Sequence, residues 1–295
     1  MPNQLYYVQN TTNLGDAVNP AIFQDVLDIK VDSASHTKAD VFGIGSILEK
    51  AFIHNKPNSS LLRNFWRNRK KYAARPAKEL FIFGSGFLRD GRNDLRGYRT
   101  YRPIAVRGKL TREVLSHVLQ MELDEIALGD PGLLMNRLIK NQPVKKYKLG
   151  IIPHYVDKTN PLVHEMAKTN TDTQVIDICG DPIDTLRNIA ECETIASSAM
   201  HGLVAADSLG IPNKWVKFSD LIMGDDFKFH DYYSAFDLKT KPTDMRRSNV
   251  GSICPESISD DYQVRKETVD AICDQLITAS KTITMSSSAS RNDSG

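Results

Sequence analysis

The chain has 295 residues, of which 41% are hydrophobic and 25% charged, with 38 Lys and Arg against 36 Asp and Glu. That is an ordinary globular composition, and a net charge of +2 argues against bulk attraction to nucleic acid. The length suits two domains of about 140 residues, each able to bury a core.

Short apolar runs alternate with helical patterns along the chain. Residues 5–8 predict a strand, 10–16 a polar loop and 20–27 a helix. A strand at 41–45 and a helix over 61–72 follow. Strands at 80–84 and 103–106 come next, then a helix over 109–119 and a strand at 125–128. After Asn141, Gln142 and Pro143 the pattern restarts, with strands at 148–153 and 174–178. A helix over 182–192 has Asp181 to cap it and Pro182 at its first position. Then come a strand at 194–199, a helix over 201–209, a strand at 214–218 and a long helix over 260–280. The serine-rich tail, 286–295, is expected to be disordered. The alternation predicts an α/β protein with mostly parallel, doubly wound, Rossmann-like sheets. The restart predicts two such domains, 1–145 and 146–285, facing a cleft that is the default ligand site.

Cys179, Cys192, Cys254 and Cys273 are widely spaced, so the pattern indicates neither a zinc site nor a disulfide framework. Reduced thiols in a cytoplasmic protein are expected. No secretory leader is visible at the start, and no apolar run reaches the ~20 residues of a spanning helix. Positive charge is uneven: 63–71 holds five cations in nine residues, and 89–102 adds five arginines. This reads either as a solvated basic face or as a rim for an anionic glycan, lipid phosphate or membrane surface.

The most informative run is Ser197, Ser198, Ala199, Met200, His201, Gly202 and Leu203. It puts a histidine where a short strand gives way to a helix, which in open α/β sheets is where ligands bind. A helix N-terminus offers unpaired N–H groups to an anion. Imidazoles titrate around neutrality, so His201 is the leading candidate to hold and pass a proton. His154 ends the strand at 148–153 in the same way, and His230 is a further candidate to line the cleft. Glycines mark four strand ends in the first half: Gly15, Gly43 with Gly45, Gly84 with Gly86, and Gly129 with Gly132. None forms a dinucleotide fingerprint or a P-loop. Asp16 and Asp130 sit at such ends, each as a general base or a helix cap, with Pro131 favouring the cap for Asp130. Arg107 follows the strand at 103–106 and either grips an anion or makes a domain-bridging ion pair.

The ordered set of these segments resembles the polysaccharide pyruvyl transferase family. The matching pieces are Asn13-Leu14-Gly15-Asp16, Gly43-Ile44-Gly45-Ser46, Phe83-Gly84-Ser85-Gly86, Val106-Arg107-Gly108, Leu128-Gly129-Asp130-Pro131, Gly150-Ile151-Ile152-Pro153-His154 and Met200-His201-Gly202-Leu203, over residues 5–235. The Ala-Met-His-Gly form resembles the branch that decorates bacterial exopolysaccharides. The resemblance implies a glycosyltransferase-B-like fold and transfer of pyruvate from phosphoenolpyruvate to two hydroxyls of a hexose, as a ketal. It implies His201 as acid, with Asp16 as a base and Arg107 on the donor. Gly15, Gly45, Ser85, Gly86, Asp130, His154, Met200, Gly202 and Lys217 are the further substrate-binding residues it suggests. Many members carry an arginine two residues before the histidine, where this chain has Ala199; Lys217, Lys228 or an arginine of the first domain would compensate. The implied partners are phosphoenolpyruvate and a lipid-linked oligosaccharide or polysaccharide repeat unit, with peripheral contact at the inner membrane face. No cofactor, metal or nucleic acid is expected. Two other readings stay open: a nucleotide-sugar-dependent glycosyltransferase of the same fold, and a non-catalytic glycan-binding protein.

Overall fold

A computed structural model describes the chain except for residues 1, 10–12, 55–59, 61, 62, 65, 67, 70, 72–78, 171, 248, 249 and 293–295, and except for the side chains of 250 and 285–292. Two parallel sheets dominate it. The first takes β1 (Asn3–Tyr6), β2 (Val31–Ser33), β3 (Val41–Phe42), β5 (Leu80–Phe83), β7 (Tyr101–Val106) and β8 (Ala127–Leu128), in the order β2-β1-β3-β5-β7-β8. A small antiparallel pair, β4 (Ile53–His54) with β6 (Leu95–Arg96), lies beside it. The second sheet takes β9 (Tyr147–Ile152), β10 (Thr173–Val175), β11 (Cys192–Ser197), β12 (Asn213–Lys217) and β13 (Thr243–Asp244), in the order β10-β9-β11-β12-β13.

Each order runs outward from its first strand in both directions. The connections therefore leave a crevice between β1 and β3, and another between β9 and β11, beyond the carboxyl ends of the strands. Central strands are covered on both faces, so they read as unbroken apolar runs: all four residues of β5 are buried.

The helices are α1 (Leu14–Ala17), α2 (Asn19–Ala21), α3 (Lys109–Leu119), α4 (Pro161–Thr169), α5 (Pro182–Ala190), α6 (Met200–Ser208), α7 (Phe227–Ser234), α8 (Pro255–Asp261) and α9 (Lys266–Asn292). Helix α3 has the predicted bounds. Thr111, Val114, Leu115 and Val118 form its buried stripe, and Gln120 ends it in the left-handed conformation. Asp181 caps α5 through the N–H groups of Ile183 and Asp184, as predicted.

Other expectations are corrected. The single helix over 260–280 is two, because Tyr262 is extended and its hydroxyl donates to the buried Asp207. The tail expected to be disordered is helical through Asn292, with no glycine or proline to interrupt α9 before Gly295. Residues 131–138, without a predicted element, form a 3-10 helix capped by Asp130. The helix expected over 61–72 and the basic stretch 63–71 fall partly outside the described residues; those described within 63–71 are helical.

The largest apolar cluster runs through both halves, joining Leu14 and Phe23 of the first to Ile152, Leu203 and Trp215 of the second. Helix α9 crosses back to pack on β7, β8 and the 131–138 turn. Ile272 and Leu276 lie against Gly129, whose φ of +148° and close packing leave no room for a side chain. By packing, the last helix of the expected second domain thus serves the first sheet.

A buried polar cluster fixes α7 to the same sheet. The Asp231 carboxylate accepts from Arg107 Nε at 2.8 Å, and from the Thr111 backbone N–H and hydroxyl at 2.7 Å each. It therefore caps α3 from outside, where Gly108 offers no side chain. Arg107 also donates to Ser46 Oγ and to the Phe87 carbonyl, both at 2.7 Å. Both charged side chains are fully buried, so removing one strands the other in a dry site. Asp231→Ala is expected to lower unfolding free energy by about 3–5 kcal/mol in urea denaturation; a loss below ~1 kcal/mol would show that the cluster does not hold α7.

Candidate active site

The crevices of the two sheets open into one cavity of about 900 Å³. The loop after β1 gives it Asn13 and Asp16, and the loop after β3 gives Gly45, Ser46 and Ile47. The loop after β9 gives His154, Tyr155 and Val156, and the β11–α6 junction gives Ala199, Met200 and His201. Leu221, Met223 and Lys228 close the remaining side.

The β11–α6 junction is shaped by two serines. Ser197 Oγ accepts from the Ala199 N–H at 3.0 Å and donates to the Ile152 carbonyl at 2.9 Å, turning the chain off the strand. Ser198 Oγ accepts from the His154 N–H at 2.8 Å and bonds Asp157 at 3.0 Å, tying the two loops together. A Cβ on Gly202 would overlap Ser197 Oγ, so glycine lets α6 start hard against the sheet. Ala199 supplies no side-chain cap, which leaves the helix end to accept an anion.

His201 is nearly buried, and its imidazole lies on the backbone of Gly15; a Cβ there would overlap the ring. This contact joins the two sheets at the site. Behind the ring, Nε2 is 3.6 Å from Asp130 Oδ2, and neither atom has a hydrogen-bond partner among the described residues. The other Asp130 oxygen accepts the Gly132 N–H at 2.8 Å. Of its two sequence expectations, Asp130 meets the cap, at the 131–138 turn, and its other oxygen faces His201 in place of a sugar hydroxyl. It is fully buried, so it backs the imidazole and does not touch a ligand in the cavity.

Asp16 faces the same space. Burial pushes its carboxyl up to about 6, His201 and Lys228 oppose that rise, and the Asp130 charge adds to it. His154 moves the other way. Burial, then the positive charges of Lys228 and His201, hold it down at about 4, so at neutral pH it is an uncharged imidazole. Its Nδ1 accepts from the Val156 N–H at 3.4 Å, which assigns the proton to Nε2. Lys228 is lowered to about 8 by burial and then by Arg107, against the pull of Asp226 and Asp16.

Several predicted residues lie elsewhere. Arg107 is fully buried and bonded on all three nitrogens, so it fulfils the ion-pair alternative and not the donor-binding one. Gly86 lies under its guanidinium, where a Cβ would overlap it. Ser85 is buried and donates to the Gly43 carbonyl. Lys217 points off the cavity into ion pairs with Asp220 and Asp226, each at 3.2 Å. His230 stands edge-on to Trp215 at 5.4 Å, away from the cavity wall. Sequence reasoning missed Tyr155, Ser46 and Asp231; the only available signals were their places beside His154, Gly45 and His230. Among the described residues no group of His, Cys, Asp and Glu is gathered to hold a metal ion, and no helix is long and apolar enough to cross a membrane.

The profile of the polysaccharide pyruvyl transferase family matches residues 10–216. Protein L143 of Acanthamoeba polyphaga mimivirus is 37% identical over 168 residues, covering 55% of this chain and 56% of its own. The succinoglycan biosynthesis protein ExoV of Rhizobium meliloti is 25% identical over 167 residues, covering 56% of this chain and 50% of its own. The matched segment thus spans about half the length of these curated relatives. A solved structure from Klebsiella pneumoniae aligns over 78% of this chain and 87% of its own, at 15% identity and a TM-score of 0.42.

Asp16 gives a stability test. Its carboxyl titrates near 6 in the folded chain against 3.8 as the ordinary value. Above pH 6 the folded state carries a buried charge; below pH 4 the group is protonated in both states and that cost is gone. Asp16→Asn is therefore expected to be more stable than the wild type by up to about 3 kcal/mol at pH 7, with the gap closing by pH 4. Urea denaturation of the pair at both values checks this, and a gap that widens towards pH 4 would contradict it. His154 contributes with opposite sign, losing stability as pH falls from 6.5 to 4, but does so in both proteins.

Proposed function

The chain belongs to the polysaccharide pyruvyl transferase family, and on that premise we propose that it transfers pyruvate from phosphoenolpyruvate to two hydroxyls of one hexose, forming a ketal. The observation that carries this reading is the pairing across one cavity of an imidazole backed by a carboxylate, His201 with Asp130, and a carboxyl titrating near neutrality, Asp16. The reaction needs one acid and one base beside a site for an anion.

Phosphoenolpyruvate carries about three negative charges and meets the uncapped start of α6. With the Asp130 carboxylate behind its ring, His201 gives a proton to C3 of the donor. C2 becomes electrophilic, the first sugar hydroxyl adds to it, and Asp16 takes that hydroxyl's proton. The bond from C2 to the phosphate oxygen then breaks. The second hydroxyl closes the ketal and returns a proton to His201, while the proton on Asp16 leaves with phosphate. In balance, one hydroxyl proton ends on C3 and the other on phosphate. His154, neutral and bearing its proton on Nε2, suits a sugar hydroxyl, and the adjacent Tyr155 offers a ring face to a hexose.

The two Rossmann-like units around the cavity fit a glycosyltransferase-B-like arrangement. The name of the Rhizobium relative favours a polysaccharide acceptor. In this reading the acceptor is a lipid-linked repeat unit, met at the cytoplasmic face of the membrane.

The test is phosphate release from phosphoenolpyruvate with a panel of free and lipid-linked hexose acceptors. Acceptor-dependent release is expected, falling about 10²- to 10⁴-fold in His201→Ala. No release, with a nucleotide sugar instead raising the melting temperature, would overturn the reading in favour of a glycosyltransferase.

A further inference from the structure

Resting on the function proposed above, we infer that Lys228, carried by α7, is the cation that anchors the anionic donor in this chain. The need for such a group follows from the charge of the proposed donor, a trianion that would meet the β11–α6 junction, where Ala199 offers neither a charge nor a side-chain cap. Arg107 and Lys217 are both engaged elsewhere. Arg107 is sealed in its cluster with Asp231, Ser46 and Phe87, and Lys217 is held between Asp220 and Asp226. Among the described residues lining the cavity, Lys228 is the one lysine or arginine, and it shares the wall with Ala199, His201 and Asp16.

Its placement has a structural cause. Asp226, in the left-handed conformation at φ +62°, starts α7, and Asp231, one turn beyond Lys228, is locked to Arg107 and Thr111. The first turn of α7 is thus held at the cavity. Lys228 Nζ lies 5.4 Å from the centre of the Phe229 ring and makes no ion pair among the described residues. An ammonium without a carboxylate of its own, beside an uncapped helix start, is suited to a phosphate or carboxylate group.

The charged groups facing Lys228 make its charge dependent on pH. Arg107 and His154 are cationic or titratable neighbours, while Asp226 and Asp16 are anionic, and burial with Arg107 prevails, holding the ammonium at about 8. A bound trianion would favour the protonated form. Donor affinity should therefore decline as Lys228 loses its proton above pH 8, and arginine, which stays charged, should remove that decline.

The experiment is isothermal titration of phosphoenolpyruvate into the full chain between pH 7 and 9.5, with circular dichroism to verify that each variant is folded. Lys228→Gln is expected to weaken binding about 10- to 100-fold at pH 7, the range for one charge-assisted hydrogen bond. Wild-type affinity should fall between pH 8 and 9.5, and Lys228→Arg should bind with little pH dependence there. Lys214→Gln, altered off the cavity at an ion pair with Asp261, should match the wild type. If the wild type binds but a folded Lys228→Gln binds equally well, or the alkaline decline persists in Lys228→Arg, the inference fails and the function stands. If the folded wild type does not bind phosphoenolpyruvate at any pH, the proposed function fails and takes the inference with it.

Discussion

The buried bond between Arg107 and Asp231 is the constraint on which the site depends. It joins residues 124 positions apart and sets α7 against the end of β7 and the start of α3. Together with the stacking of Phe229 on Trp215, it holds the first turn of α7, and with it Lys228, against the cavity. The pair is costly to desolvate, and its four further hydrogen bonds, two from Thr111 and one each to Ser46 and Phe87, make it tolerable. Because Ser46 is both a partner of Arg107 and part of the cavity wall, the clamp reaches the site directly.

A second contact completes the arrangement from the other side. His201 belongs to the second sheet but lies on Gly15 of the first, with Asp130 of the first behind it. The imidazole is thus positioned by backbone and carboxylate from one half of the chain while its own helix starts in the other. A change in how the two sheets sit would alter the surroundings of His201, Asp16 and Lys228 together. The shared apolar cluster and the return of α9 to β7 and β8 resist such a change.

Much of this was legible in the sequence where the physics is local. Strand ends marked Asp16, Gly45, His154 and His201, three of them with a glycine at the turn, and all four line the cavity. Helix α3 was legible because Thr111, Val114, Leu115 and Val118 repeat at helical spacing. What was not legible depended on partners far along the chain. Arg107 occupies the predicted strand end, yet Asp231, which turns it from a ligand-facing residue into a buried clamp, is on a helix that periodicity did not single out. Lys217 and Lys228 were equivalent as sequence; which one faces the cavity was decided by Asp220 and Asp226, which draw Lys217 aside. The break at Tyr262 likewise reflects a distant buried carboxylate, Asp207, rather than any local helix stop.

A donor bound where the two crevices meet would be visible in a crystal structure of the chain with phosphoenolpyruvate. Density is expected at the start of α6, with the phosphate or carboxylate within hydrogen-bond distance of Lys228 and C3 turned towards His201. Phosphoenolpyruvate bound at another surface, with this cavity left to solvent, would contradict this placement of the donor.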